Sequence, residues 1–139
     1  MFPSPSGFPG IWLLALAGSA LTLTLLPAQA ATPAEQLSAY TAQAGAPAQA
    51  ARGQQFFNSR HGKDWSCASC HGASPTGPGK HASTGKVITP LAPAYNPERF
   101  ADSAKTEKWF RRNCNDVLGR ECTAAEKADV LAWLISLKP

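Results

Sequence analysis

The sequence predicts a small all-α domain in which helices at both ends of the chain are separated by a long central loop. Two segments, 32–35 and 123–126, carry a helix-start signal of a capping Thr with Glu three positions later. Between them, residues 58–97 are rich in Gly, Pro, Ser and Thr, and no convincing strand pattern is visible. A chain of 139 residues has room for one such domain.

The composition excludes two classes of protein. With 44% hydrophobic and 16% charged residues, the chain is too apolar and too weakly charged for disorder driven by charge. The formal net charge of +4 is too small to argue for a nucleic-acid partner, and we expect none. The chain has four Cys and a single Met, which is Met1.

The N-terminal segment has the pattern of an export signal. Residues 11–26 are apolar and uncharged, Pro27 follows, and Ala28-Gln29-Ala30 gives the small residues that a signal peptidase reads. No Lys or Arg precedes the run, so an uncleaved anchor is the alternative, but the run is shorter than the about 20 residues of a membrane span. We predict a signal peptide at 1–30, cleaved after Ala30, and an exported, periplasmic domain at 31–139, where cysteines meet an oxidising compartment.

Two helices are predicted in the first part of this domain. The first begins at Thr32, has Tyr40 on a weak apolar face and ends near Gly45. The second follows Pro47 and contains Gly53, where the absence of a side chain lets another helix cross closely.

Two more helices are predicted in the last part. The run SAKTEKWFRRN fits a helix capped by Asp102 or Ser103, and the final helix begins at Thr123. On the third helix Glu107 and Arg111 are spaced to form an ion pair. Another face of that helix is basic, and is either solvated surface or a docking site for an acidic redox partner: Lys105, Lys108 and Arg112.

The long loop and a thin, Ala-rich core indicate a large buried ligand or cross-link. The loop contains Cys67-Ala68-Ser69-Cys70-His71, and C-x-x-C-H is the attachment site of c-type haem. Cys67 and Cys70 can reach the two vinyl groups of the porphyrin, and His71 then supplies the proximal iron ligand. A thioredoxin-like motif would need a βαβ pattern, and a zinc or iron–sulfur site would need further paired ligands. The prediction is therefore one covalent haem c.

The order of these parts resembles class I cytochromes c, over about residues 50–138. Those proteins usually supply Met as the sixth iron ligand, and after cleavage this chain has none. His61, His81, a Lys, Asn113, water or no ligand remain as alternatives, and both histidines are favoured as surface loop residues. Asn113 lies where class I chains place the sixth ligand, beside the candidate haem-pocket residues Trp109 and Phe110, but it also suits a helix cap.

Asn113 precedes Cys114, and Cys122 follows eight positions later. In an exported chain these two cysteines should form a disulfide. Here the sequence is similar to the SHP group, the high-spin haem proteins of purple bacteria, in RNCNDVLGREC (112–122), TAAEKADVLAWL (123–134) and ITPLAPAYNPERFADSAKTEKW (88–109). The resemblance implies that Asn113 is a distal iron ligand that leaves on reduction and opens a site for oxygen, nitric oxide and similar molecules.

Two functions remain open at this stage. One is electron transfer, and the resemblance implies a dihaem cytochrome c and a membrane b-type cytochrome as partners. The other is a haem protein that binds or reduces small molecules, which the missing Met favours. No distal acid or base such as His is visible in the sequence, so efficient peroxidase chemistry is not expected.

Overall fold

The computed structural model describes residue 1, residues 30–62 and residues 64–139. Apart from its two terminal residues, the predicted signal peptide lies outside these described residues. None of the helices described is long and apolar enough to span a membrane. In chain order the elements are α1 (Pro33–Ala44), α2 (Ala50–Asn58), α3 (Ala68–His71), β1 (Gly79–Lys80), β2 (Val87–Ile88), α4 (Ser103–Leu118) and α5 (Ala124–Ser136).

The predicted helical fold is confirmed, and the expectation that it has no strand is wrong at one place. Strands β1 and β2 pair in antiparallel fashion, with Gly79 opposite Ile88 and Lys80 opposite Val87. The turn between them is closed by the backbone N–H of His81, which donates to the carbonyl of Lys86 at 2.8 Å. A ladder of two residues is too short to leave an alternating pattern in the sequence.

Side-chain caps fix the starts of three helices, as predicted. Thr32 accepts a hydrogen bond from the backbone N–H of Glu35 at 3.2 Å, and the Glu35 carboxylate accepts one from the Thr32 N–H at 2.7 Å. Thr123 and Glu126 form the same reciprocal box at the start of α5. Asp102, one of the two predicted caps, accepts from the first turn of α4. These bonds satisfy backbone donors that have no partner within the helix.

The core centres on the crossing of α2 and α5. A Cβ atom added to Gly53 would lie 2.0 Å from the backbone oxygen of Asp129, so only glycine allows this approach. Beside the crossing, the rings of Phe57 and Trp133 lie 5.0 Å apart and are almost fully buried. Helix α1 covers the other side of α5, where Tyr40 packs with Ala128 and Leu131.

Helix α4 is placed differently from the other long helices. Helices α2 and α5 approach each other most closely and α1 packs on α5, whereas α4 approaches none of them as closely. Its buried residues are only Thr106 and Cys114. Glu107 forms a salt bridge at 2.7 Å with Lys127 of α5, which the sequence did not predict, and the charge of Arg111 also acts on Glu107. Helix α4 therefore meets the helical core through side chains such as Phe110 and not through a close approach of backbones.

Candidate functional site

The C-x-x-C-H motif folds into one tight helical turn. The carbonyl of Cys67 accepts hydrogen bonds from the backbone N–H groups of Cys70 at 3.3 Å and His71 at 3.1 Å. Just before and within the turn, Ser66 and Ser69 each accept from the backbone N–H of the other, at 3.1 and 3.0 Å. This reciprocal bonding fixes the turn that presents Cys67, Cys70 and His71 together.

The loop after the motif lies directly against it. A Cβ atom on Gly79 would be 2.2 Å from the carbonyl oxygen of Cys70, so β1 can pack here only because residue 79 is glycine. The backbone N–H of Ala82 lies 3.4 Å from the Cys70 sulfur. The Gly-rich loop predicted from sequence is thus a close-fitting support for the cysteine motif.

The His71 imidazole is mostly buried beside the helical core. Its ring lies 6.1 Å from that of Phe57. Burial is the main cause that lowers the pKa of His71 to about 4, and the electrostatic effects of Arg99 and His81 act in the same direction. Burial also raises the pKa of the Cys67 thiol to about 11. A neutral imidazole is the form that binds a metal, so His71 suits an iron ligand.

A cavity of about 640 Å³ lies between this motif and α4. Cys67, Cys70 and His71 line it, and so do the predicted pocket residues of α4, which are Trp109, Phe110 and Asn113. The structure thus brings to one cavity the residues predicted to attach the haem, to form its pocket and to bind its iron, whereas His61, an alternative iron ligand, does not line it. Two free thiols, a neutral imidazole and a largely apolar lining suit a covalently attached haem.

The two alternative histidines differ in their placement. His61 is not among the residues that line the cavity, and its Nε2 lies 2.9 Å from the carbonyl of Phe56. His81 does line the cavity, but its Nδ1 accepts hydrogen bonds from the backbone N–H groups of Ser83 and Thr84, both at 3.3 Å. With Nδ1 as acceptor, the proton of the neutral ring is assigned to Nε2.

The disulfide predicted from the sequence is present. Cys114 on α4 is bonded to Cys122, with the two Cα atoms 5.6 Å apart. Cys114 is buried, and both cysteines line the cavity. The bridge ties the half-buried Asn113 segment of α4 to the chain just before α5.

Two cavity residues were missed by sequence reasoning because they lie in a segment without helical or strand periodicity. Arg99 donates to the carbonyls of Thr89 at 2.9 Å and Pro90 at 3.0 Å, and so pins the loop that forms one wall. Phe100, which also lines the cavity, has a positive φ angle of 59°. The only signal in the sequence that could have indicated these cavity residues is an aromatic residue beside an Arg in a loop rich in Pro.

Comparisons with known proteins agree with this site. A family described as a domain of unknown function (DUF1924) matches residues 43–134. Cytochrome c-type protein SHP of Cereibacter sphaeroides is 54% identical over 107 residues, which cover 74% of this chain and 82% of that protein. Cytochrome c'' of Methylophilus methylotrophus is 46% identical over 88 residues, which cover 60% of this chain and 61% of that protein.

Solved structures give the same result. Oxidised SHP, described as an oxygen-binding cytochrome c, matches with a TM-score of 0.73 and 50% identity, covering 77% of this chain and 98% of that one. Oxidised cytochrome c'' of Methylophilus methylotrophus matches with a TM-score of 0.69 and 35% identity, covering 77% of this chain and 95% of that one.

Fold and site together define a c-type cytochrome, and its cofactor is one covalently attached haem c. This confirms the small helical cytochrome fold predicted from the sequence. The chain belongs to the family of cytochrome c-type protein SHP, as its resemblance to the SHP group implied.

Proposed function

We propose that this chain is an exported, periplasmic monohaem cytochrome that transfers electrons and whose distal ligand, Asn113, leaves the iron on reduction. The observation that carries the proposal is the position of Asn113 in the cavity that Cys67, Cys70 and His71 also line. A solved relative supports it, since the solution structure of cytochrome c'' is described as giving insight into haem-ligand detachment.

A bound haem would supply one-electron redox chemistry, with His71 and Asn113 holding its iron. In the proposal Cys67 and Cys70 attach its vinyl groups, and the neutral imidazole of His71 is the proximal ligand. The amide oxygen of Asn113 is a hard, weak donor that suits ferric better than ferrous iron. If the iron lost one positive charge on reduction, Asn113 would be the weaker of the two protein ligands and would leave, so that a small molecule could bind in its place.

Electron transfer also needs a docking surface for a redox partner. Lys105, Lys108 and Arg112 are exposed on α4, and the Arg112 guanidinium lies 5.6 Å from the ring centre of Trp109. Trp109 is 42% exposed and also lines the cavity. A cationic stripe beside the haem cavity suits an acidic partner, and the resemblance favours a dihaem cytochrome c and a membrane b-type cytochrome.

A second function is the binding or reduction of small molecules. The observation that favours it is Met1, which is the only methionine and lies in the predicted signal peptide. Without a strong thioether ligand, the distal position depends on a weak amide that releases easily. Oxidised SHP is described as an oxygen-binding cytochrome c, and oxygen and nitric oxide are the ligands to test first.

The test compares Asn113→Ala with Asn115→Ala, an exposed asparagine on the same helix. The proposal expects Asn113→Ala to change the ferric absorption spectrum strongly and the ferrous spectrum little. It should also remove any delay in carbon monoxide binding when the oxidised protein is reduced. Asn115→Ala should behave as wild type. A reduced wild-type protein that is six-coordinate and low-spin would contradict the gate, and His81, His61 or a Lys would then be tested as the ligand.

Export is tested separately by the mass of the protein recovered from the periplasm. We expect an N-terminus at Ala31 after removal of residues 1–30. A mass that retains Met1 would instead indicate an uncleaved anchor.

A further inference from the structure

The wall of the haem cavity contains a residue in a strained backbone conformation. Phe100 has φ of 59°, in the left-handed region that a bulky aromatic residue rarely adopts. The other non-glycine residue with positive φ in the described part of the chain is Asp64, a residue type that tolerates this region. Such strain persists only where the surrounding structure enforces it, and it is concentrated at ligand sites and switches.

A buried side chain from α1 contacts the backbone of Phe100. The amide Nε2 of Gln36 donates to the carbonyl oxygen of Phe100 at 2.6 Å, across 64 positions of sequence. Gln36 is only 5% exposed, and its Oε1 atom has no hydrogen-bond partner among the described residues. An apolar residue would avoid leaving a buried acceptor unsatisfied. The amide N–H donor of Gln36 is therefore the group through which this side chain contributes to the structure.

The backbone that Gln36 holds leads directly into the helix that forms the distal wall. Asp102, two residues after Phe100, is the cap of α4 and accepts from the backbone N–H of Lys105 at 2.9 Å. The Phe100 ring lies 6.4 Å from that of Phe110 on α4, and both line the cavity. The conformation at Phe100 thus sets where α4 begins and how its cavity-facing residues stand.

Helix α1 supports α4 at a second point. Tyr40, one turn after Gln36, meets Phe110 edge to face with ring centres 5.8 Å apart. Gln36 and Tyr40 are the two buried residues of α1.

We infer that Gln36 is a positioning residue of the haem site, which orients α4 through the Phe100 carbonyl and so sets the approach of Asn113 to the iron. This inference rests on the proposed function of Asn113. It assigns to α1 a role in ligand release that its distance from the C-x-x-C-H motif in sequence does not suggest.

The test uses the haem-loaded protein and compares Gln36→Met with Gln43→Met. Methionine keeps the length of the side chain and removes the donor, and Gln43 is an exposed glutamine on the same helix. We expect Gln36→Met to speed hydrogen exchange of the Lys105 and Thr106 amides by about threefold or more, and to change the carbon monoxide association rate by a similar factor. Exchange at the start of α5 should stay unchanged, and Gln43→Met should match wild type.

A second pair of variants tests the route through the backbone. Glycine adopts positive φ without strain, so Gln36→Met should have a smaller effect in a Phe100→Gly background than in wild type. An equal effect in both backgrounds overturns the inference. If Gln36→Met does not fold, Gln36→Asn replaces it, because it keeps the amide but is one methylene too short to reach Phe100.

The outcomes separate this inference from the proposed function. Unchanged exchange in α4 overturns the inference whatever the iron ligands are. Faster exchange with an unchanged ferric spectrum and an unchanged carbon monoxide rate also overturns it, because the anchor then does not act on the site. A wild-type iron that stays six-coordinate on reduction contradicts the proposed release of Asn113. The inference about Gln36 is then tested by the ferric spectrum of Gln36→Met: a changed spectrum supports it, and an unchanged spectrum overturns it.

Discussion

The crossing of α2 with α5 and the placement of α4 are two contrasting regions of the same small domain. At the crossing, backbone meets backbone at Gly53, and Asp129 of α5 accepts hydrogen bonds from the Gln49 N–H at 2.7 Å and from the Arg52 side chain. Helix α4 instead meets the core through side chains such as Phe110 and is tied to the chain before α5 by the disulfide at Cys114, and its residues line the cavity.

The two regions are therefore stabilised by different kinds of contact. The crossing buries protein against protein, so its geometry is complete in the polypeptide. The face of α4 is completed by the cofactor, which fills the cavity between α4 and the C-x-x-C-H motif. Helix α4 forms a wall of the cavity and has fewer protein contacts than the crossing. It is therefore the element that can shift when a ligand leaves the iron.

The largest expected effect comes from removing the attachment of the cofactor. Replacing Cys67 and Cys70 by Ser should make the haem extractable in acid acetone, and should lower the midpoint and the cooperativity of unfolding followed by circular dichroism. The physical reason is that α4 then loses the surface on which its inner face packs. The matched control replaces Cys114 and Cys122 by Ser, and it should keep its haem. Haem that remains covalent in the first variant would contradict the assignment of the motif.

A smaller effect is expected from a single methyl group at the crossing. Gly53→Ala places Cβ against the Asp129 backbone, which cannot move as a flexible side chain would. We expect the free energy of unfolding, measured with guanidinium, to fall by about 3 kcal/mol. Gly77→Ala is the control, since a Cβ atom there meets no other atom within 4 Å. If both variants unfold like wild type, the close crossing is not a main source of stability.

The same crossing shows what the sequence could predict. Gly53 was identified as a crossing point because a glycine inside a helix usually marks a close approach, and both Thr caps were visible as local patterns. The disulfide of Cys114 with Cys122 followed from export and short spacing. These features depend on residues close together in sequence, or on a chemical motif.

Features that depend on distant contacts were missed. Gln36 was not singled out from the sequence, because its bond to Phe100 joins segments far apart in the chain. The left-handed conformation of Phe100 has no sequence signal, because left-handed positions are usually glycine or asparagine. Glu107 was assigned the nearest helical partner, whereas tertiary packing brings Lys127 to it. That Asn113 binds the iron stays a prediction.

The disulfide provides a test of whether the anchoring of α4 affects the iron site. Replacing Cys114 and Cys122 by Ser opens a short loop and should lower the free energy of unfolding by about 2 kcal/mol in the chain-entropy model. Because the bridge anchors α4, the ferric spectrum should also shift in the direction of Asn113→Ala, though less. An unchanged ferric spectrum would show that the anchor of α4 is not coupled to the iron.

The smallest effect is expected at the start of α5. This helix belongs to the region that is stabilised by protein contacts alone, without the cofactor. Hydrogen bonds from the Arg120 guanidinium, at 2.7 and 2.9 Å, hold the pKa of Glu126 below its usual 4.5, and bonds from Thr123 act in the same direction against burial. Because the folded pKa is lowered, the charge of Glu126 stabilises the fold above that usual value, and this contribution is lost as the pH falls through the folded pKa.

Glu126→Gln keeps the capping box but removes the charge, so it should lower the free energy of unfolding by only about 0.5 kcal/mol near neutral pH. The difference from wild type should disappear in acid below the folded pKa, while the exposed control Glu121→Gln should unfold like wild type near neutral pH. The ferric spectrum should not change, since α5 is positioned by protein contacts. A spectral change in Glu126→Gln would mean that the start of α5 and the wall formed by α4 are coupled, and that the two regions do not respond separately.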